Sequence, residues 1–425
     1  MRLLPQDMRG HEAPGARRPV KTQKGGTLMT KRVGAAREPL WNKPFILVLA
    51  ISVFTCTASQ MVTPLISKFA LSLGAPLTLA ATISSFMSLA ALFCRPVSGI
   101  LSDRMNRKKI MIVSTAIVAL SMACYAFSTN IAMLFGARVV HGIAFSFMGV
   151  SNMALGSDFV PESRMGEGLG YLGLGNILAY AIGPSLGLEI SGTFGYPAVF
   201  TLAASLAFIS VAAMFLIPDT PRPAPKETAE KKRFSVNNFF AKDITLYVAV
   251  LILFTCGNGL MNTYLAILGE ERGIPNVGLY FTAYSLAVLL VRPVAGKIND
   301  RFGLSAIMIP AFVLGCGGML LVAGAKSIGP IVLAGVLKAL SQGAAQPAIQ
   351  AYSIRYLGKE NAGVATSTCY IGQDLGNSVA PIVGSFVVSG FSFGTLYAGY
   401  AVLLLAGGTG CYLLQRFIER KKAGR

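Results

Sequence analysis

Arg95-Pro96-Val97-Ser98-Gly99-Ile100-Leu101-Ser102-Asp103-Arg104 returns 197 residues later as Arg292-Pro293-Val294-Ala295-Gly296-Lys297-Ile298-Asn299-Asp300-Arg301, with six of ten residues identical. The same offset relates Gly183-Pro184-Ser185-Leu186-Gly187 to Ala380-Pro381-Ile382-Val383-Gly384, and an offset of 200 relates Phe54-Thr55-Cys56 to Phe254-Thr255-Cys256. Self-similarity at nearly half the chain length means that one unit is built twice. In both decapeptides an arginine precedes proline, one helical turn before the glycine.

The chain around these repeats is apolar. Of 425 residues, 53% are hydrophobic and only 13% charged, with a mean hydropathy of +0.61. An ordinary soluble domain carries about 25% charged residues, so the bilayer is the expected solvent. Disorder is excluded by the same figures. The net charge of +19 is scattered between apolar runs rather than gathered on one face, which argues against nucleic-acid binding. The seven cysteines, Cys56, Cys94, Cys124, Cys256, Cys316, Cys369 and Cys411, all fall inside apolar runs and read as buried free thiols. With only His11 and His141 as histidines and no Cys/His cluster at metal spacing, neither a metal nor a cofactor is expected.

Apolar stretches long enough to cross the hydrocarbon core number twelve, at 44–67, 78–101, 110–128, 131–154, 166–190, 197–217, 244–268, 280–298, 304–325, 328–350, 362–389 and 395–415. The expected fold is therefore an all-α membrane protein of twelve helices in two six-helix bundles. Residues 1–43 read as a basic tail, with Met8 or Met29 as alternative starts and Trp41 as an interfacial anchor. The bundles occupy 44–217 and 244–418, joined by a polar linker at 218–243, and 419–425 form a second tail. Thirty Lys and Arg fall on the side of the termini and three, Lys68, Arg272 and Lys326, on the other; Arg95, Arg138, Arg292 and Lys338 lie within spans. That imbalance places both termini in the cytoplasm and the chain in the cytoplasmic (inner) membrane.

Gly99-x-x-x-Asp103-Arg104-x-x-Arg107-Lys108 resembles the signature loop of the major facilitator superfamily, with Asn106 where the family usually has glycine. The resemblance covers nearly the whole chain from Lys43, and within the superfamily the chain looks like the twelve-span drug or metabolite:proton antiporters. It implies two bundles that rock about a midplane site and a latch formed by Gly99, Asp103, Arg104, Arg107 and Lys108, with Gly99 permitting close helix contact. The second copy retains Gly296, Asp300 and Arg301 but lacks the distal basic pair, so the latch should be asymmetric. Span 5 reads Gly170-x8-Ala179-x3-Gly183-Pro184-x2-Gly187, similar to the family's antiporter motif with alanine in place of one glycine. Gly183 to Gly187 also fits a nucleophile-elbow pattern, and Gly168 to Gly173 a dinucleotide-binding one. Neither has the strand context that such chemistry needs, so an enzyme is not expected.

Ionisable residues inside the membrane are costly and mark candidate sites. Arg138 opens Arg138-Val139-Val140-His141-Gly142, which looks like a family motif with His141 at the usual glutamine. Arg138 is read as tuning a neighbouring proton site or as a snorkelling anchor, and His141 as titrating or as a neutral hydrogen-bonding residue. Asp374 is the one acid deep in a span. It is read as a proton carrier or as the permanent partner of Arg138, Arg292 or Lys338. Arg95 and Arg292, being duplicated, read as architectural; Lys338, with no repeat partner, is the better cavity charge. Arg138, Lys338, Asp374, Asn258, Asn262 and Gln60 are assigned to the substrate cavity. The expected function is export of a small amphipathic drug or metabolite by proton antiport, from a functional monomer. A symporter or facilitator for a sugar or organic acid, and a non-transporting scaffold or sensor, are the alternatives.

Overall fold

The computed structural model describes residues 39–161, 164–219, 241–358 and 362–423, with the side chains of Ile100, Asp103, Arg104, Met165 to Glu167, Lys242, Ala362, Gly363, Lys422 and Ala423 excepted. Among them the chain forms twelve long helices and no strand: α1 (Lys43–Ser72), α2 (Leu77–Arg104), α3 (Arg107–Ala126), α4 (Ile131–Asp158), α5 (Met165–Phe194), α6 (Tyr196–Met214), α7 (Thr245–Glu271), α8 (Leu279–Phe302), α9 (Ser305–Ala323), α10 (Ile328–Leu357), α11 (Ala362–Gly390) and α12 (Phe393–Lys421). Ten of these are long and apolar enough to cross a membrane. The other two, α5 and α11, are rich in glycine and polar residues, and they lie against other helices across the middle of the molecule.

Local chemistry sets the helix ends. Asn42, Asn106 and Asn130 each hold an extended backbone and accept a hydrogen bond from the amide three residues on, at 2.9, 3.1 and 2.9 Å. Asn106, the departure from the superfamily's glycine, is thus the N-cap of α3. Gly195, at φ +81°, reverses the chain between α5 and α6 without any further linker residue, a conformation open to glycine. A short 3₁₀ turn at Thr63–Leu65 carries Pro64 near its start, where the missing amide proton breaks little of the ladder, so α1 continues to Ser72, beyond the expected 67.

Within each half the same pairs of helices pack. In the first, α1 lies on α5 and α6, α2 on α4, and α3 on α4 and α6; in the second, α7 lies on α11 and α12, α8 on α10, and α9 on α10 and α12. The halves meet chiefly through α2 against α11 and α5 against α8, two contacts exchanged by the repeat. Large apolar side chains point outward, with Phe93 74% and Leu290 75% exposed, as a lipid-facing surface requires.

Several expected details change. Cys316 and Cys369 are buried, but Cys124 is exposed and the other four thiols are half-buried. An apolar thiol needs no shelter from lipid, so an apolar run does not imply burial. Leu40, inside the expected tail, is fully buried with Phe45, Met214 and Ile217. The last helix continues past 418, where Glu419 accepts from Tyr247 at 3.2 Å and Tyr352 at 2.9 Å and so holds it to α7 and α10. Most of the expected linker and tail lies outside the described residues.

Candidate functional site

A cavity of two connected lobes, about 710 and 930 Å3, lies between the bundles, sharing Gln60, Met153, Asn176 and Tyr370 in their walls. It extends toward the end that bears the termini, where Gly99 and Asp300 line it. The opposite, far end is shut by contacts between the bundles. Ser67 donates to the Thr263 carbonyl at 2.6 Å, Tyr180 to Asn262 Oδ1 at 2.9 Å, and Ser185 to the Gly278 carbonyl at 2.8 Å. Lys68 and Glu270 add an ion pair at 3.0 Å. The central cavity is therefore closed off from the far end, beyond which Lys68, Ser185 and Glu270 line a separate pocket of about 370 Å3.

Beside the cavity, Arg95 on α2 clasps Asp374 on α11 with both forks of its guanidinium: Nε donates to Oδ2, and Nη2 to Oδ1 at 3.1 Å. The Tyr370 ring lies 5.5 Å from the Arg95 guanidinium carbon. The partner of Asp374 is thus Arg95, and not Arg138, Arg292 or Lys338. Arg95 lines the larger lobe. Its repeat counterpart Arg292 lines the smaller lobe with Ile177, Tyr180, Tyr284 and Gln346. The duplicated arginines, expected to be architectural, are among the described residues the cationic side chains of the cavity wall.

The other expected cavity residues divide. Gln60 and Asn258 line it. Asn262 stands behind Tyr180, whose hydroxyl it binds, and Asp374 stands behind Arg95. Lys338 is buried, with its amine 5.9 Å from the Tyr284 ring centroid, immediately before a π-helical turn at Ala339–Gly343. Arg138 is 1% exposed inside the first bundle and donates to the Ser84 carbonyl on α2 at 3.1 Å; His141 is wholly buried, with Nδ1 2.9 Å from the Tyr125 hydroxyl. Ser84 and Arg95 are eleven residues apart on α2, about 16 Å, so Arg138 and Asp374 are not paired. Asn176 and Tyr180, uncharged and one turn apart in an apolar span, also line the cavity, and their four-residue spacing is their one trace in the sequence.

The loop residues act at the terminal end. Arg107 Nη1 meets Asp158 of α4 at 2.5 Å, and Lys108 donates to the Ile217 carbonyl at 2.7 Å and pairs with Asp219 at 3.1 Å. Asp300 lies 3.7 Å from Arg355, and Arg301 stacks on Phe302 at 5.2 Å. Asp103 and Arg104 have side chains outside the described residues. A Cβ on Gly99 or Gly296 would meet nothing within 4 Å, so neither glycine makes the expected close contact while this end is open. In α5 the fit is the reverse. A Cβ on Gly183 would come 2.7 Å from Gln60 Cβ, and one on Gly187 would strike the Met61 carbonyl, whereas Gly170 faces open space. Pro184 lies within the helix between the two tight glycines.

Twelve membrane helices in two repeated bundles around a cavity open at one end define a membrane transporter rather than an enzyme. The Major Facilitator Superfamily matches residues 48–277 and 275–425, and the chain belongs to that family. It is 26% identical over 372 residues to the multidrug resistance protein MdtG of Dickeya zeae, covering 84% of this chain and 90% of that one. It is 25% identical over 320 residues to the multi-drug resistance efflux pump PmrA of Streptococcus pneumoniae, covering 74% and 80%. Among solved structures, a POT family transporter in complex with a thioalcohol-conjugated peptide has a TM-score of 0.74 at 13% identity, covering 88% of this chain and 96% of that one. The nucleoside transporter NupG scores 0.70 at 16%, covering 87% and 99%. These likenesses establish the fold.

Proposed function

We propose that the protein exports a small amphipathic drug or metabolite across the cytoplasmic membrane in exchange for protons, by alternating access, with both termini in the cytoplasm. The observation that carries this reading is the Arg95–Asp374 pair, which joins the bundles beside the cavity. Names of relatives that denote multidrug resistance and efflux support the direction of transport, and the excess of Lys and Arg at the terminal end supports the orientation.

In this reading the open terminal end faces the cytoplasm with Asp374 ionised. Substrate enters the cavity, the far end opens as the terminal end closes, and release is followed by protonation of Asp374 from outside. Protonation removes the negative charge that holds Arg95, so the contact between α2 and α11 loosens in step with proton uptake. Return to the cytoplasmic side frees the proton and restores the pair. Arg138 and His141 act from behind the wall. Arg138 holds α2 through Ser84, and His141 is fixed by Tyr125, so their substitution shifts the pH optimum rather than abolishing flux.

The test is flux in proteoliposomes under an imposed pH gradient. Asp374→Asn should lose pH-driven export yet keep substrate binding and counterflow, because the amide mimics the protonated acid. Full pH-driven export by this variant would remove Asp374 as carrier and direct attention to His141. Substrate moving with the protons rather than against them would favour the symporter reading.

A further inference from the structure

Because α2 meets α11 as α8 meets α5, each arginine of the repeat faces the other bundle, and the groups opposite them can be compared directly. Opposite Arg95 stands Asp374. Subtracting the same 197 residues gives Ile177, which lines the cavity lobe with Arg292. The symmetric site therefore keeps the cation and lacks the acid.

Among the described residues three charged side chains line the cavity: Arg95, Arg292 and Asp300. Arg95 is neutralised by Asp374 and Asp300 lies beside Arg355. Arg292 is exposed to the cavity, and among the described residues it makes no ion pair or hydrogen bond. It lies ten residues before the end of α8, about 15 Å along the axis, too deep to snorkel out of the terminal end. Asp300, two turns further along, is about 12 Å away. A cation at that depth is carried either by the water of an open cavity or by a counter-charge. The chain supplies one at the equivalent position of the other bundle and an isoleucine here.

We propose that the substrate carries an acidic group, a carboxylate or an equivalent monoanion, that Arg292 binds in the place Asp374 takes at Arg95. Tyr180 and Tyr284, whose rings meet edge to face at 5.7 Å, provide one apolar surface, and Gln60, Asn176 and Asn258 provide hydrogen bonds to the remainder. The substrate is accordingly an amphipathic organic anion with one negative end. This rests on the transport reading above and names the substrate class for the same cavity.

The test is equilibrium binding to purified protein in nanodiscs with no gradient imposed, so the outcome does not depend on direction or coupling. The probes are matched sets on naphthalene, biphenyl and sterol skeletons, each as carboxylate, primary amide and primary amine. The carboxylates should bind at least about tenfold more tightly than their amides, as one charge-assisted contact implies, and the amines more weakly still. Arg292→Gln should bring carboxylate and amide to the same affinity, while Arg292→Lys should keep the preference in reduced form. Failure of every carboxylate to bind, equal or tighter binding of amides or amines, or an unchanged preference in Arg292→Gln would overturn the proposal. Should Arg292→Gln not fold, the wild-type comparison and the lysine variant decide it. Absence of pH-driven export by the wild-type protein in the flux assay, with the carboxylate preference intact, would instead refute the antiport mechanism alone.

Discussion

At the level of single residues, the Arg95–Asp374 pair makes a stability prediction that can be separated from transport. The side chains are 26% and 11% exposed, so neither charge is well hydrated. Replacing one partner leaves the other desolvated and unpaired, a loss of about 3 kcal/mol. Arg95→Gln and Asp374→Asn should each lower the melting temperature and the yield, and the double variant should recover most of both. Purely additive losses in the double variant would show that the two charges are not coupled. The acid was visible in the sequence because no other lies deep in a span. Its partner was not, because 279 residues separate them and three other arginines or lysines lay within spans. What the sequence did hold was the asymmetry of the repeat, since an offset of 197 sets Ile177 where Asp374 stands.

Whole helices were the more legible level. Apolar length counts spans well because each helix must satisfy its backbone within itself, whereas the helix starts capped by Asn42, Asn106 and Asn130 emerge from the structure. Glycine spacing proved informative where it fell on a helix seam and not where it fell near the open end. Gly187 lies against the Met61 carbonyl and Gly376 against Thr255 and the Ile252 carbonyl, so α1 on α5 and α7 on α11 are repeated close seams. Gly187→Val should cost about 1 to 3 kcal/mol by overpacking, read as a lowered melting temperature, whereas Gly170→Ala should leave it unchanged. Equal tolerance of the two would mean that the α1–α5 seam adjusts freely. Register shifts such as the π-turns at Ala339–Gly343 and Leu403–Gly407 carry no signature in hydropathy and are visible only in the fold.

For the molecule as a whole, closure of the far end is held, among the described residues, by neutral hydrogen bonds and one ion pair whose Glu270 is 68% exposed. Such a pair contributes at most about 1 kcal/mol, so the end is built to reopen. On a background without native cysteines, a short bis-methanethiosulfonate reagent should bridge Lys68→Cys and Glu270→Cys and stop transport, and reduction should restore it. Transport that persists through the cross-link would show that this end does not need to part.

A body closed at one end and hollow at the other does not displace lipid equally from the two leaflets. Under the alternating access proposed above the bundles part at whichever end is open, so exchanging the open end moves the wider cross-section from one leaflet to the other. The exchange therefore does work against lateral pressure as well as against its own contacts, and headgroup size or tension in one leaflet enters the balance between the two shapes. Lipid composition can thus set the resting population of this transporter without any lipid occupying a binding site on it.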